Sequence, residues 1–199
     1  TYVNLGGIKM KDNNGLPILL VIDMLNDFVH PEGSLYNKKY RDLIPQIVDK
    51  IQEFIDKGYP VIYVGDNHSS DDIEFDLFPE HCTTTWGSSF IEIIDNLIEL
   101  NMPLNTELPS CYVINKTSFS PFIGNEFGVY NADLFFDILK PSEIHVVGIL
   151  SNICVLYTVS DLVQFGFRNI YVYKDCTASN DDTLHEFALK QMKEVLKVN

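Results

Sequence analysis

The stretch Ile144-His145-Val146-Val147-Gly148-Ile149-Leu150-Ser151-Asn152-Ile153-Cys154 decides the fold. Its first six residues form a short, β-branched, mostly apolar run, which is the composition of a strand buried on both faces. From Val155 to Phe165 apolar residues return at helical spacing, so the chain passes from a strand through a tight turn into a helix that Cys154 opens. Strand, turn and helix in that order are the repeating unit of a parallel sheet.

Outward from this stretch the unit recurs. Ile18-Leu19-Leu20-Val21-Ile22, Val61-Ile62-Tyr63-Val64, Tyr112-Val113-Ile114 and Ile170-Tyr171-Val172-Tyr173 supply the other strands. Leu43, Ile44, Ile47, Val48, Ile51, Phe54 and Ile55 repeat at helical spacing, and Gly58 ends them. Phe90, Ile93, Ile94, Leu97 and Ile98 do the same after the cap candidates Ser88 and Ser89. Leu134 to Leu139 and Leu184 to Leu196 supply further helices, the last capped by Asp181 or Asp182. The pattern predicts one α/β domain over residues 1–199: a three-layer α/β/α arrangement with a doubly wound parallel sheet in the order 3-2-1-4-5. A sixth strand is left open. Phe28 to Tyr40 and Gly65 to Ser88 are too long for idle connectors, which marks them as functional loops.

Composition narrows the function classes. A net charge of −14 with no clustered basic stripe excludes a nucleic-acid surface, because phosphates need neutralising Lys and Arg. No apolar run is long enough to span a bilayer, and Thr1 to Leu16 reads as neither signal peptide nor targeting helix. Cys82, Cys111, Cys154 and Cys176 are widely spaced without a Cys-x-x-Cys pair, which points to reduced thiols in a cytoplasmic protein.

The predicted strand ends gather chemistry. Asp23 follows the first strand, Asp66 the second and Lys116 the third, while the fourth leads to Cys154. In a doubly wound sheet these positions converge on one rim. Each alone has a plain explanation as a turn residue, a solvated strand end or a buried small side chain. Together they suit nucleophilic catalysis: Lys116 stabilises a thiolate, Asp23 takes the thiol proton and later protonates a departing amine, and the helix start favours negative charge on Cys154. Cys82 is the rival nucleophile, with a structural reading favoured. Asp66-x-His68 puts two metal-ligating side chains on one side of an extended segment, with His81 later in the same loop. Spacing alone fits a solvated acidic loop equally well. His30 and His185 have no pattern around them and read as surface residues.

The segments Val21-Ile22-Asp23-Met24-Leu25-Asn26-Asp27-Phe28 and Gly148 to Thr158 resemble the isochorismatase-like cysteine hydrolases. Asp66-Asn67-His68 through Phe78-Pro79-Glu80-His81-Cys82 resembles the nicotinamidase/pyrazinamidase branch of that superfamily. The resemblance implies a catalytic triad of Asp23, Lys116 and Cys154, and a non-proline cis peptide at Ile149–Leu150. It also implies an oxyanion hole from the backbone N–H groups of Leu150 and Cys154. It implies one divalent metal ion, zinc or alternatively iron or manganese, held by Asp66, His68, a third ligand and His81. Glu74 is the favoured third ligand, with Asp72 and Asp76 left open. Phe28, Phe78 and Phe119 match positions that line the ring pocket.

The implied activity is hydrolysis of nicotinamide to nicotinate and ammonia through a Cys154 thioester, in NAD salvage. The alternatives are another small amide or carbamoyl substrate on the same triad, and a non-catalytic binder on the same fold. An isochorismatase proper is disfavoured, because its nucleophile position is not a cysteine in that family. The partner expected is a small-molecule amide, with neither nucleic acid nor membrane; the oligomeric state is not legible, and the resemblance admits a homo-oligomer. The chain departs from the family at Thr83-Thr84-Thr85-Trp86-Gly87, at Ile123 to Asn131 and at Asn152.

Overall fold

A computed structural model describes residues 15–102, 110–123 and 134–199. Residues 1–14, and residues 124–131 of the divergent Ile123 to Asn131 region, lie outside the described residues. The elements are β1 (Ile18–Ile22), α1 (Asn26–Val29), α2 (Lys38–Arg41), α3 (Ile44–Asp56), β2 (Val61–Asp66), α4 (Glu92–Asn101) and β3 (Cys111–Lys116). After them come β4 (Ile144–Ile149), α5 (Cys154–Gln164), β5 (Ile170–Ala178) and α6 (Asp182–Glu194). A short 3₁₀ turn covers Ile73–Asp76, and Leu134–Leu139 forms a π-helical turn rather than the expected α-helix.

The sheet has the order β3-β2-β1-β4-β5, and every pairing is parallel. Both faces of the central strand are covered, which is why β1 is apolar at all five positions. Leu19 and Val21 pack into one core with Ile47, Ile51 and Ile94 of α3 and α4. Ile18, Leu20 and Ile22 pack into the other with Val155, Val159 and Ala188 of α5 and α6. Among the described residues no helix is long and apolar enough to cross a membrane.

Register explains how the strand ends meet. Ile22 lies beside both Val64 and Gly148, and Asp66 lies beside Lys116, so β1, β2, β3 and β4 finish at one rim. Gly148 has φ of 115°, and a Cβ there would lie 2.1 Å from the Ile22 carbonyl oxygen, so this close approach to β1 needs glycine.

Three local expectations change. Ser88 and Ser89 do not cap α4; their hydroxyls donate to the carbonyls of Thr84 and Thr85 and brace the preceding turn, while Ile91 takes the cap position without a side-chain bond. The last strand runs on to Ala178, so Cys176 lies within β5 and not in a loop. Lys174 and Asp175 interrupt the apolar pattern while the backbone keeps pairing through an irregularity, Val146 beside Val172 and Gly148 beside Thr177. Cys111 opens β3 instead of preceding it. Of the two cap candidates on α6, Asp181 accepts the Leu184 N–H at 2.9 Å.

Candidate active site

At the rim, Lys116 is wholly buried and its ammonium is surrounded by three groups. It hydrogen-bonds Asp66 Oδ1, lies 2.9 Å from Asp23 Oδ2 and donates to Cys154 Sγ at 3.5 Å. Asp23, Asp66 and Cys154 are buried as well. The oxygens of both carboxylates and the sulfur fall within 4.8 Å of one another, but the ammonium already bonds all three, so this cluster is an ion-pair network and not a metal cage.

The titrations follow from that packing. Burial, then the Asp66 charge, push the Asp23 carboxyl up to about 7, with Lys116 partly offsetting them. Burial would raise Asp66 too, but the Lys116 charge, the neighbouring His68 and the Lys116 hydrogen bond together outweigh it and hold the group below its usual range. Burial works against the Lys116 ammonium, yet Asp23 and Asp66 together carry it well above the ordinary lysine value. Burial and the Asp23 charge push the Cys154 thiol up despite Lys116. The resting proton therefore sits on sulfur. Asp23 Oδ2 is ion-paired with Lys116 and Oδ1 has no partner among the described residues, so a carboxylate that titrates near neutrality has an oxygen ready to receive it. Asp23 also has a left-handed φ of 54°, a conformation uncommon outside glycine.

Cys154 opens α5, and the preceding Ile149–Leu150 peptide is cis, as the resemblance implies. The Leu150 carbonyl accepts from Ile153 N at 3.0 Å and Val155 N at 3.1 Å. The N–H groups of Leu150 and Cys154 donate to no described residue. Two free backbone donors beside a thiol are the makings of an oxyanion hole.

Next to the network, ligand atoms of Asp66, His68 and His81 lie within 4.8 Å of one another, all on buried residues. His68 Nδ1 is 2.9 Å from Asp72 Oδ2, and His81 Nδ1 donates to the Pro79 carbonyl at 2.8 Å. With both Nδ1 atoms bonded outward, both Nε2 atoms face the Asp66 carboxylate, at 3.6 Å and 3.8 Å. These separations are too long for hydrogen bonds, and the buried His68 Nε2 has no hydrogen-bond partner among the described residues. An orphaned imidazole nitrogen among a second imidazole and two carboxylates fits a divalent ion that accepts mixed nitrogen and oxygen ligands. Glu74 Oε1 lies 3.8 Å from His81 Nε2, on the inner side. Asp72 instead stands behind His68 and caps the 3₁₀ turn by accepting from Glu74 N at 2.9 Å.

Both centres open on one cavity of about 440 Å³. Its lining includes Cys154, Leu150, Asp66, His81 and Glu74, together with Phe28, Phe78 and Phe119. The Phe28 ring lies 5.4 Å from that of His81, and Phe78 meets Phe119 edge-on at 5.8 Å.

With this geometry in hand, the isochorismatase domain model matches residues 17–198. The chain belongs to the isochorismatase family. An uncharacterized isochorismatase family protein, PncA of Bacillus subtilis, is 33% identical over 175 residues, covering 86% of this chain and 91% of that protein. The crystal structure of the nicotinamidase PncA from Bacillus subtilis superposes with a TM-score of 0.78 at 28% identity, covering 92% and 97% of the two chains. The pyrazinamidase of Pyrococcus horikoshii in complex with zinc gives 0.71 at 25% identity, covering 89% and 94%. These likenesses fall in the nicotinamidase branch of the superfamily, and the isochorismatase-family fold is that of an amidohydrolase or related hydrolase.

Within this family chain the structure brings together Asp23, Lys116 and Cys154 in one buried network and Asp66, His68 and His81 in an adjoining cluster with Glu74 beside it, while Phe28, Phe78 and Phe119 line the cavity that Cys154, Asp66, Glu74 and His81 share. Cys82 is buried, and burial followed by the charges of Asp66, Asp23 and Asp27 drives its thiol far up against the opposing charge of Lys116, consistent with a structural role. Three contributions were missed. Asp66 serves both centres at once, which spacing along the chain does not reveal. Asp27 holds the divergent Thr83 to Gly87 loop, its Oδ2 accepting from Cys82 N at 2.6 Å and its own N–H donating to the Gly87 carbonyl at 3.2 Å. His185 is half-buried and bonded to Ser151, not a bare surface residue.

Proposed function

We propose that this chain is a metal-dependent nicotinamidase, hydrolysing nicotinamide to nicotinate and ammonia. The observation that carries the reading is one aromatic cavity with a buried thiol–lysine–carboxylate network at its floor and a cluster of two histidines and carboxylates on its wall. A flat heteroaromatic amide matches both features. Asp66, His68 and His81, with Glu74 beside them, would hold the divalent ion, zinc being the natural choice for that donor set. When bound, such an ion would supply Lewis acidity toward a pyridine nitrogen, and Asp66, His68, His81 and Glu74 would thereby orient the ring.

The protein's own groups account for the chemistry. Asp23 takes the proton of the Cys154 thiol as sulfur attacks the carboxamide carbon, while Lys116 steadies the developing thiolate. The N–H groups of Leu150 and Cys154 bond the oxygen as it becomes an oxyanion. Asp23 returns the proton to the amide nitrogen, ammonia leaves, and an acyl thioester remains. A water then gives its proton to Asp23 and adds to the thioester carbon. The second oxyanion collapses, sulfur departs as thiolate, and Asp23 reprotonates it. Phe28, Phe78 and Phe119 flank the ring and exclude water.

The test is ammonia release from nicotinamide against a panel of small amides and carbamoyl compounds, with and without a chelator. Turnover highest on nicotinamide, lost in Cys154→Ala and lowered by chelation, supports the reading. Turnover confined to a non-aromatic amide overturns the substrate, and chelation without effect overturns the metal role.

A further inference from the structure

The turn that carries both proposed oxyanion donors is held to the rest of the molecule in an unusual way. Between Leu150 and Cys154 lies Ser151, which is wholly buried. Its N–H donates to the Ala178 carbonyl at the end of β5 at 2.8 Å. Its Oγ lies 2.9 Å from Nδ1 of His185 in the first turn of α6. Among the described residues these two are the only hydrogen bonds that tie residues 150–153 to elements outside the turn and its own helix. The neighbouring Asn152 side-chain oxygen has no hydrogen-bond partner among the described residues.

The polarity of the Ser151–His185 bond is fixed by its surroundings. A buried hydroxyl must place its proton, and His185 Nδ1 is the one acceptor described within reach of Ser151 Oγ. Burial lowers the His185 pKa from its ordinary value, which keeps the ring neutral and its Nδ1 lone pair available. The backbone bond to Ala178 fixes where Ser151 lies along β5. The bond to His185 fixes how the turn is rotated, and that rotation aims the Leu150 and Cys154 N–H groups. Oxyanion donors work only when aimed at the oxygen's position in the transition state.

We propose that His185 is a positioning residue that acts through Ser151 to hold the Leu150–Cys154 turn in the orientation that stabilises the oxyanion. The proposal rests on the amide-hydrolase reading above. It assigns a role to a side chain that touches neither the thiol network nor the histidine cluster, and it ties α6 to the chemistry.

The experiment measures kcat and KM for ammonia release from nicotinamide, or from whichever panel amide is turned over, in His185→Ala, His185→Asn, Ser151→Ala and the Ser151→Ala/His185→Ala pair. Cys154 alkylation by iodoacetamide is followed in parallel, because displacement at its saturated carbon builds no oxyanion. Loss of one such bond lowers kcat roughly tenfold in His185→Ala and in Ser151→Ala, with KM held within about twofold. The pair falls no further than the worse single variant. His185→Ala alkylates at the parent rate. Asn presents an amide oxygen near the place of Nδ1, so His185→Asn recovers most of kcat. An unchanged kcat in folded His185→Ala overturns the proposal. So does a matching fall in alkylation, which would mean a displaced thiol, or a His185→Asn no better than His185→Ala. A parent protein that releases ammonia from no amide of the panel overturns the amide-hydrolase reading instead, and release that survives Cys154→Ala overturns Cys154 as its nucleophile, whatever the His185 variants do.

Discussion

Replacing Asp23 with Asn separates what this carboxylate does for catalysis from what it costs the fold. In the native protein its pKa is raised from 3.8 to about 7, first by burial and then by Asp66. A group whose folded value lies above its unfolded value binds a proton in the native state that the unfolded chain has released. Stability then falls as pH rises between the two values, by about 1.4 kcal/mol per pH unit for one proton. From pH 5 to pH 8 the Asp23 contribution therefore declines by about 2–3 kcal/mol, most of it before pH 7. Asp23→Asn removes that decline, and Lys116 keeps its partner in Asp66. Urea unfolding at pH 5, 6, 7 and 8 reads the difference: the parent loses about 2–3 kcal/mol relative to the variant across the series. Over the same range the parent's kcat/KM rises as Asp23 deprotonates through about 7, and the variant loses about a hundredfold or more at every pH. Parallel stability curves for parent and variant would refute the account of a buried carboxylate titrating near neutrality.

Three other perturbations probe neighbouring features. Lys116→Met leaves Asp23 and Asp66 buried without their shared cation, and urea unfolding at pH 8 should show a loss of about 3–5 kcal/mol. His68→Ala removes the orphaned Nε2, so equilibrium dialysis against zinc should show at least about tenfold weaker binding while circular dichroism stays native. Gly148→Ala places a Cβ against the Ile22 backbone at a positive φ, and thermal unfolding should show a destabilisation of about 2–4 kcal/mol or a failure to fold.

The sheet was legible because a doubly covered parallel strand announces itself as an unbroken apolar run, as in Ile18 to Ile22. Lys116 and Asp66 were legible as strand ends for the same reason, since parallel strands finish on one side. Element edges were harder. Ser88 and Ser89 carry the right side chains for a helix cap, but the Thr84 and Thr85 carbonyls claim their hydroxyls. The far half of β5 was hidden because backbone pairing tolerates Lys174 and Asp175 where the outward face is solvated. Within the site, residue types pointed to roles but not to sharing. That Asp66 would bond Lys116 across 50 residues, or that Ser151 would find His185, depends on side-chain direction in three dimensions. Spacing favoured Glu74 but left Asp72 and Asp76 open, and a single contact on either side of the histidine pair separates Glu74 from Asp72.

Asp66 also constrains how such a site can be altered by mutation. Neither His68 nor His81 touches Lys116, so exchanging them leaves the ammonium's own contacts in place and reaches it only through Asp66, whose charge His68 helps to hold. Asp66 cannot be exchanged in this way, since it is the counter-ion on one side and a ligand candidate on the other. A route to a metal-free amidase therefore runs through the histidines first and keeps the aspartate. For the same reason an Asp66 variant is a poor probe of metal dependence, because it perturbs the thiol's environment in the same stroke.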